Sequence, residues 1–192
     1  MIQTDNFKQV QIDSSPELRK WLLKNHRQDS SVWLVTFKKH IEKKYVSTGE
    51  VLDELLCFGW IDGIRRKLDD DRTMQLISPR KTQHWAKTYK VRAAKLTKEG
   101  RMHESGLASV AQSKRNGLWT FMDDVDALIV PPDFATALAS TKHAAKHFDA
   151  CGDSYKRNIL RWIKLAKSDA TRQKRIQQAS EFAQRNERIA QM

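Results

Sequence analysis

The sequence predicts an α+β fold: a small antiparallel N-terminal sheet followed by a mainly helical C-terminal region that ends in a helical pair. Three observations predict it. The segments rich in β-branched and aromatic residues, above all Ser31 to Phe37 (SVWLVTF), lie in roughly the first 78 residues. From His84 onward, apolar residues recur at helical spacing instead. Strands and helices segregated in this way point to α+β rather than to alternating βα units. The expected organisation is an α+β core domain over 1–130 and a C-terminal helical module over 131–192, expected to pack on that core.

Gln9 to Ile12 reads as a short strand with Val10 and Ile12 on one face. Ser14-Ser15-Pro16-Glu17 is a helix start, with Ser at the cap and Pro at the first helical position, and Leu18, Trp21 and Leu22 follow on one face. The strand Ser31 to Phe37 comes next. Thr48-Gly49-Glu50 opens a helix whose apolar face is Val51, Leu52, Leu55 and Leu56, and which stops at Gly59, where the absent Cβ permits a left-handed helix end. Trp60 to Lys67 and Thr73 to Ile77 form a hairpin around Asp69-Asp70-Asp71, with Met74, Leu76 and Leu68 expected inward and Pro79 ending the return strand. Trp85, Tyr89, Ala93 and Leu96 share a helical face. A second helix over Glu104 to Lys114 should bury Leu107, Val110 and Ala111 and end at Asn116-Gly117. Helices follow at Pro132 to Ala139, Lys142 to Phe148, Ser154 to Lys167 and Thr171 to Ile189, the last two packed by Trp162, Ile163, Ile176 and Phe182.

At 192 residues the chain can bury a core without disulfides or metals. Charged residues make up 30%, and the formal charge is +12, which favours anionic partners such as nucleic acid, phosphorylated ligands or acidic proteins, or serves solubility alone. Two cysteines, Cys57 and Cys151, cannot form a disulfide framework and suit a reducing cytoplasm. The N-terminus lacks the basic and apolar regions of a signal peptide, and no apolar run approaches the about 18 residues of a membrane span. A cytoplasmic location is expected.

The string Leu56-Cys57-Phe58-Gly59-Trp60-Ile61-Asp62-Gly63, then Arg65-Arg66, Leu68-Asp69, Ser78-Pro79-Arg80 and Trp85, resembles the YdeI/OmpD-associated family, also labelled bacteriocin-protection. The tail agrees: Arg161-Trp162-Ile163, Ala166-Lys167, Thr171-Arg172 and Arg175-Ile176 are similar to that family's helical module. The resemblance spans about residues 30 to 183 and implies a link to envelope stress or bacteriocin tolerance, without a reaction or catalytic residues. The chain departs from the family pattern at Trp85-Ala86 and Tyr89, where relatives carry Trp-Ser and then Asn.

The first candidate site is an anionic-ligand corner of Trp60, Asp62, Arg66, Arg80, His84 and Trp85. A regular strand puts Trp60, Asp62, Ile64 and Arg66 on one face and Arg65 on the other. Asp62 can pair with Arg80, and an Arg fork beside an indole suits a phosphate joined to a flat ring. The structural alternative assigns the Trp residues to the core, Asp62 to the turn at Gly63 and Arg80 to backbone carbonyls at the hairpin corner. The second candidate is Arg172, Lys174 and Arg175, in the first turns of the last helix. Cations are disfavoured there by the helix dipole, so they call for an anion such as nucleic-acid phosphate, an acidic neighbour or water. The third, His143, His147 and Cys151 at i, i+4, i+8, has metal-ligand spacing, but Gly152 ends the helix and no hydrolase Glu follows His143; no metal is expected. No phosphate loop, dinucleotide fingerprint or G-x-S-x-G occurs, and no cofactor is expected.

Three functions follow. The first is a non-enzymatic binding or stress-tolerance protein for an anionic ligand or partner. The second is an enzyme at the Trp60/Asp62/Arg80 corner, with Asp62 or His84 as acid–base and Arg80 as anion clamp. The third is non-specific nucleic-acid binding by the C-terminal helices.

Overall fold

The computed structural model describes residues 6–189. The chain divides into two compact units, Met1–Thr120 and Phe121–Met192. The division falls earlier than residue 130 because Met122 and Val125 are buried in the helical unit's core and Lys164 holds Asp124.

In the first unit the order is β1 (Gln9–Gln11), α1 (Ser15–Asn25), β2 (Val32–Phe37), a 3-10 turn (Glu42–Lys44), α2 (Thr48–Cys57), β3 (Trp60–Lys67), β4 (Arg72–Pro79), α3 (Lys87–Lys98) and α4 (Glu104–Arg115). The sheet order is β1-β2-β4-β3. β2, β4 and β3 pair antiparallel, but β1 and β2 pair parallel, so the sheet is mixed rather than purely antiparallel. The reason is the α1 crossover, since a helix returning to the same end of a sheet sets its two strands side by side in one direction.

One sheet face carries Val32, Leu34 and Ile77, buried with Leu18 and Leu22 of α1 and with Val51, Leu55 and Leu56 of α2. The register puts Gln75 and Ile77 on this face, while Met74 and Leu76 are half-buried on the other, opposite the expected facing. Ser14 caps α1 by accepting from Glu17 N, and Ser47 and Glu50 form a capping box on α2. Within α2, Glu54 is 4% exposed and accepts from Arg19 and Arg101 at 2.9 and 2.8 Å. A buried carboxylate requires this: each of its oxygens faces its own arginine, and removing either would leave one buried oxygen without that partner.

Two glycines set how α4 lies on α2. A Cβ on Gly106 would stand 2.2 Å from the Cys57 carbonyl oxygen, so α4 crosses at backbone contact. Gly59, at φ +74°, turns the chain from α2 into β3 with Ser105 O 3.0 Å from where its Cβ would be. This crossing corrects the expected inner face of α4. Gly106 and Ser113 are buried and Val110 is half-buried, while Leu107 is 45% exposed.

The second unit consists of α5 (Asp123–Asp126), α6 (Pro132–Ser140), α7 (Ala144–Asp149), α8 (Asp153–Lys164) and α9 (Asp169–Gln184). Phe134 and Phe148 meet edge-to-face at 5.1 Å, within a core that includes Ile159, Ile163, Ile176 and Ala179. Trp162 and Phe182 are partly buried against it, so the expected packing of the final pair is present. α7 begins one residue after His143, which has φ 62° and caps the helix from outside.

Gly106→Ala tests the crossing. Ala is favoured over Gly in a helix interior by about 1 kcal/mol, but a Cβ against a fixed carbonyl forces the two helices apart. The variant is expected to lose about 1–3 kcal/mol, read as a lower urea midpoint.

Candidate functional site

The hairpin register explains which side chains meet. Asp62 pairs with Ile77 and Arg65 with Gln75, so three steps along β3 match two along β4. The extra residue is a β-bulge at Gly63-Ile64, and it breaks the alternation of faces. Asp62 and Arg65 therefore share the face of Gln75. Arg66, expected beside Asp62, instead pairs with Met74 and lies over the Trp33 ring at 5.3 Å on the opposite face.

Gln75 is 6% exposed and links its two neighbours. Its Nε2 donates to Asp62 Oδ2 at 3.1 Å, and its Oε1 accepts from Arg65 Nη2 at 2.7 Å. The other Asp62 oxygen accepts from the Tyr89 hydroxyl at 2.5 Å. Both carboxylate oxygens are thus engaged, which suits a fixed acceptor better than an acid–base group. Burial, then the bond to the Asp62 carboxylate, push the Tyr89 phenol well above the usual tyrosine range.

Arg80 is anchored where β4 ends, its backbone N–H donating to Gly59 O at 2.9 Å. Its guanidinium lies 4.1 Å from the Trp85 ring centre and 5.5 Å from that of Tyr89. Nη1 donates to the carbonyls of Gln83 and His84 at 3.3 and 3.4 Å. Nε and Nη2 are buried and have no hydrogen-bond partner, and the same holds for Trp85 Nε1. The expected Asp62–Arg80 hydrogen bond is therefore not formed; the two act on each other through space. Burial lowers the Arg80 guanidinium to about 10, with Tyr89 and Asp62 opposing the shift.

The remaining corner residues separate. Trp60 is fully buried, donates to His26 O at 3.4 Å and packs edge-on against Trp21, so it belongs to the core rather than to a ligand surface. His84 is half-buried and contributes its carbonyl to Arg80. The observed cluster is Asp62, Arg65, Gln75, Arg80, Trp85 and Tyr89. Gln75 and Tyr89 were missed as site residues. Tyr89 had one signal, its i, i+4 spacing from Trp85; Gln75, a polar residue inside a strand, had none pointing to Asp62.

Two residues of the basic set on α9 are engaged within the protein, one of them by the acidic neighbour that the sequence reading allowed. Arg172 holds Asp133 with Nε and Nη2 at 2.7 and 2.9 Å, and Arg175 donates to the Trp162 carbonyl and lies over its ring at 5.2 Å. The acidic neighbour answers the unfavourable dipole for Arg172, and a carbonyl does the same for Arg175. Lys174 is exposed, beside Gln177, Gln178 and Phe182. His147 bonds Ala183 O through Nδ1 at 2.8 Å, and Cys151 Sγ donates to His147 O at 3.3 Å. Among the described residues no group of three His, Cys, Asp or Glu is placed to hold a metal.

Two family descriptions match the chain. Residues 10–109 match "Domain of unknown function (DUF8412)", just over half of the chain and including the whole Asp62–Tyr89 cluster. The chain belongs to this family. Residues 127–186, within the helical unit, match "Bacteriocin-protection, YdeI or OmpD-Associated". The YdeI/OmpD-associated resemblance thus holds for the tail motifs, while the Gly-Trp-Ile-Asp-Gly stretch lies in the DUF8412 region. No curated protein and no solved structure matches the chain.

The Tyr89 phenol gives a pH test of the DUF8412 cluster. A proton held more tightly when folded adds stability that is complete below the ordinary tyrosine value of about 10 and is lost as pH rises through the higher folded value. The tyrosinate absorbance missing from Tyr89→Phe should therefore appear only above that ordinary range in the native protein, and at lower pH in Asp62→Asn. Onset at the ordinary value in the folded protein would contradict the Asp62–Tyr89 bond.

Proposed function

We propose that this is a cytoplasmic, non-enzymatic binding protein with a role in stress or bacteriocin tolerance, whose Arg80–Trp85 corner takes a carboxylate or phosphate group. The carrying observation is the set of buried donors without partners: Arg80 Nε, Arg80 Nη2 and Trp85 Nε1. An unmet buried donor costs about 1–3 kcal/mol, and a charged one more. Nε and Nη2 lie along one edge of the guanidinium, the edge that grips a carboxylate or phosphate with two parallel bonds.

These atoms are closed to solvent, so a ligand enters as the irregular segment 81–84 lifts while Trp85 stays in place. The long bonds from Arg80 Nη1 to Gln83 and His84 are the ones that give way. The tolerance role is supported by the bacteriocin-protection description matched at 127–186. The cytoplasmic placement is supported by two free cysteines, Cys57 among them buried. No described helix is long and apolar enough to cross a membrane.

A thermal-shift series with inorganic phosphate, sugar phosphates and dicarboxylates tests the reading, because a ligand selective for the folded state raises Tm by mass action. Arg80→Ala should abolish the shift while far-ultraviolet dichroism stays unchanged. Trp85→Phe keeps the ring but loses one donor and should weaken binding about tenfold, equivalent to about 1.4 kcal/mol. A folded Arg80→Ala variant that still responds would remove the site from consideration.

A further inference from the structure

We propose a second binding site, centred on Trp119, for the base and phosphate of a nucleotide, free or within a single strand of nucleic acid. It stands independently of the anion reading at Arg80. Trp119 is half-buried and flanked by two lysines, with Lys114 Nζ 5.1 Å and Lys90 Nζ 5.6 Å from its ring centre. An indole beside two ammonium groups joins the two elements that nucleotide recognition needs: a flat stacking surface and cations for phosphate.

The platform is held rigidly. Trp119 N–H donates to Ser113 O at 2.9 Å, and the neighbouring Leu118 carbonyl accepts from Trp85 N–H at 3.2 Å. The indole packs on buried Trp85 with ring centres 4.9 Å apart. A platform already fixed loses little freedom on binding. Gly117, at φ +78°, turns the chain after α4 and into Trp119. The lysine stems are flexible, so a base can replace an ammonium over the ring while that ammonium moves to the phosphate.

The charge distribution agrees. Residues 85–120 hold eight Lys or Arg against two Asp or Glu. Arg92 and Arg101 are engaged with Asp53 and Glu54 and Lys95 with Glu99, while Lys90 and Lys114 set their ammonium groups against the Trp119 ring. Nucleic-acid contact is thereby assigned to this face of the first unit rather than to Arg172 and Arg175.

The test is fluorescence anisotropy with a labelled deoxythymidine decamer and an abasic decamer carrying the same phosphates, each titrated with salt. The base-bearing strand should bind the wild type about tenfold more tightly than the abasic one. Trp119→Leu should erase that preference. Lys90→Ala and Lys114→Ala should each reduce the salt slope by about 0.7. Arg80→Ala should retain the preference, which separates this site from the anion corner. Competition by thymidine monophosphate at concentrations similar to those of decamer nucleotides identifies a free-nucleotide site; competition only by the strand identifies nucleic acid. Equal wild-type affinity for the two decamers overturns the proposal without recourse to any variant, as does a folded Trp119→Leu that keeps the preference.

Discussion

The connection at Cys57-Phe58-Gly59 is the constraint on which the first unit depends. Three successive carbonyls there accept bonds from two distant parts of the chain, the start of α4 and the end of the hairpin. Cys57 O accepts from His103 N at 3.0 Å, Phe58 O from Ser105 Oγ at 3.1 Å, and Gly59 O from Arg80 N at 2.9 Å. The end of α2, the start of α4, the residue before β3 and the residue after β4 are thus tied within one short stretch. Gly59 allows the turn, and Gly106 allows the helix to come near enough to make it. Arg80 inherits its position from this knot, and Trp85 and Tyr89 follow a few residues later.

In both units several cations are paired locally, in the first unit Arg19 and Arg101 by Glu54 and Arg92 by Asp53. In the helical unit Lys164 is neutralised by Asp124 and Arg172 by Asp133, and Arg175 donates to a carbonyl. Such pairs orient helices and leave little field for a partner. The first unit also contains the reverse case, a guanidinium drawn into an aromatic box with one edge unmet. The excess of basic residues is therefore a poor guide to where an anion would bind. The state of individual guanidinium edges is a better one.

The sequence showed the elements well, because caps and periodicity are local. Ser14 before Pro16, Thr48-Gly49-Glu50, and the Ser31 to Phe37 run all lead to observed elements. The α+β class followed from their order. The parallel β1–β2 pair was legible only through the crossover helix between them. The site was legible as a neighbourhood, but not in its membership. Strict alternation selected Arg66, and the bulge substituted Arg65. Trp60 looked like a ligand surface and is core, because an indole reads the same in either role until burial is known. Gln75 and Glu54 were invisible, since their roles rest on partners at distant positions in the chain. Leu107 misled for a related reason. A helix crossing at backbone contact turns its glycine inward and leaves a large side chain outside.

The bulge at Gly63-Ile64 has a further consequence. In the strand order β1-β2-β4-β3, β3 lies at one margin of the sheet. A margin of regular strand is a template for self-association, since its unpaired amides and carbonyls can recruit another copy. Here an irregularity in pairing is followed by three adjacent cationic residues, Arg65, Arg66 and Lys67, all exposed. Local twist and like-charge repulsion both oppose the docking of a second strand. The same inserted residue that sets Arg65 beside Gln75 also protects the protein against aggregation.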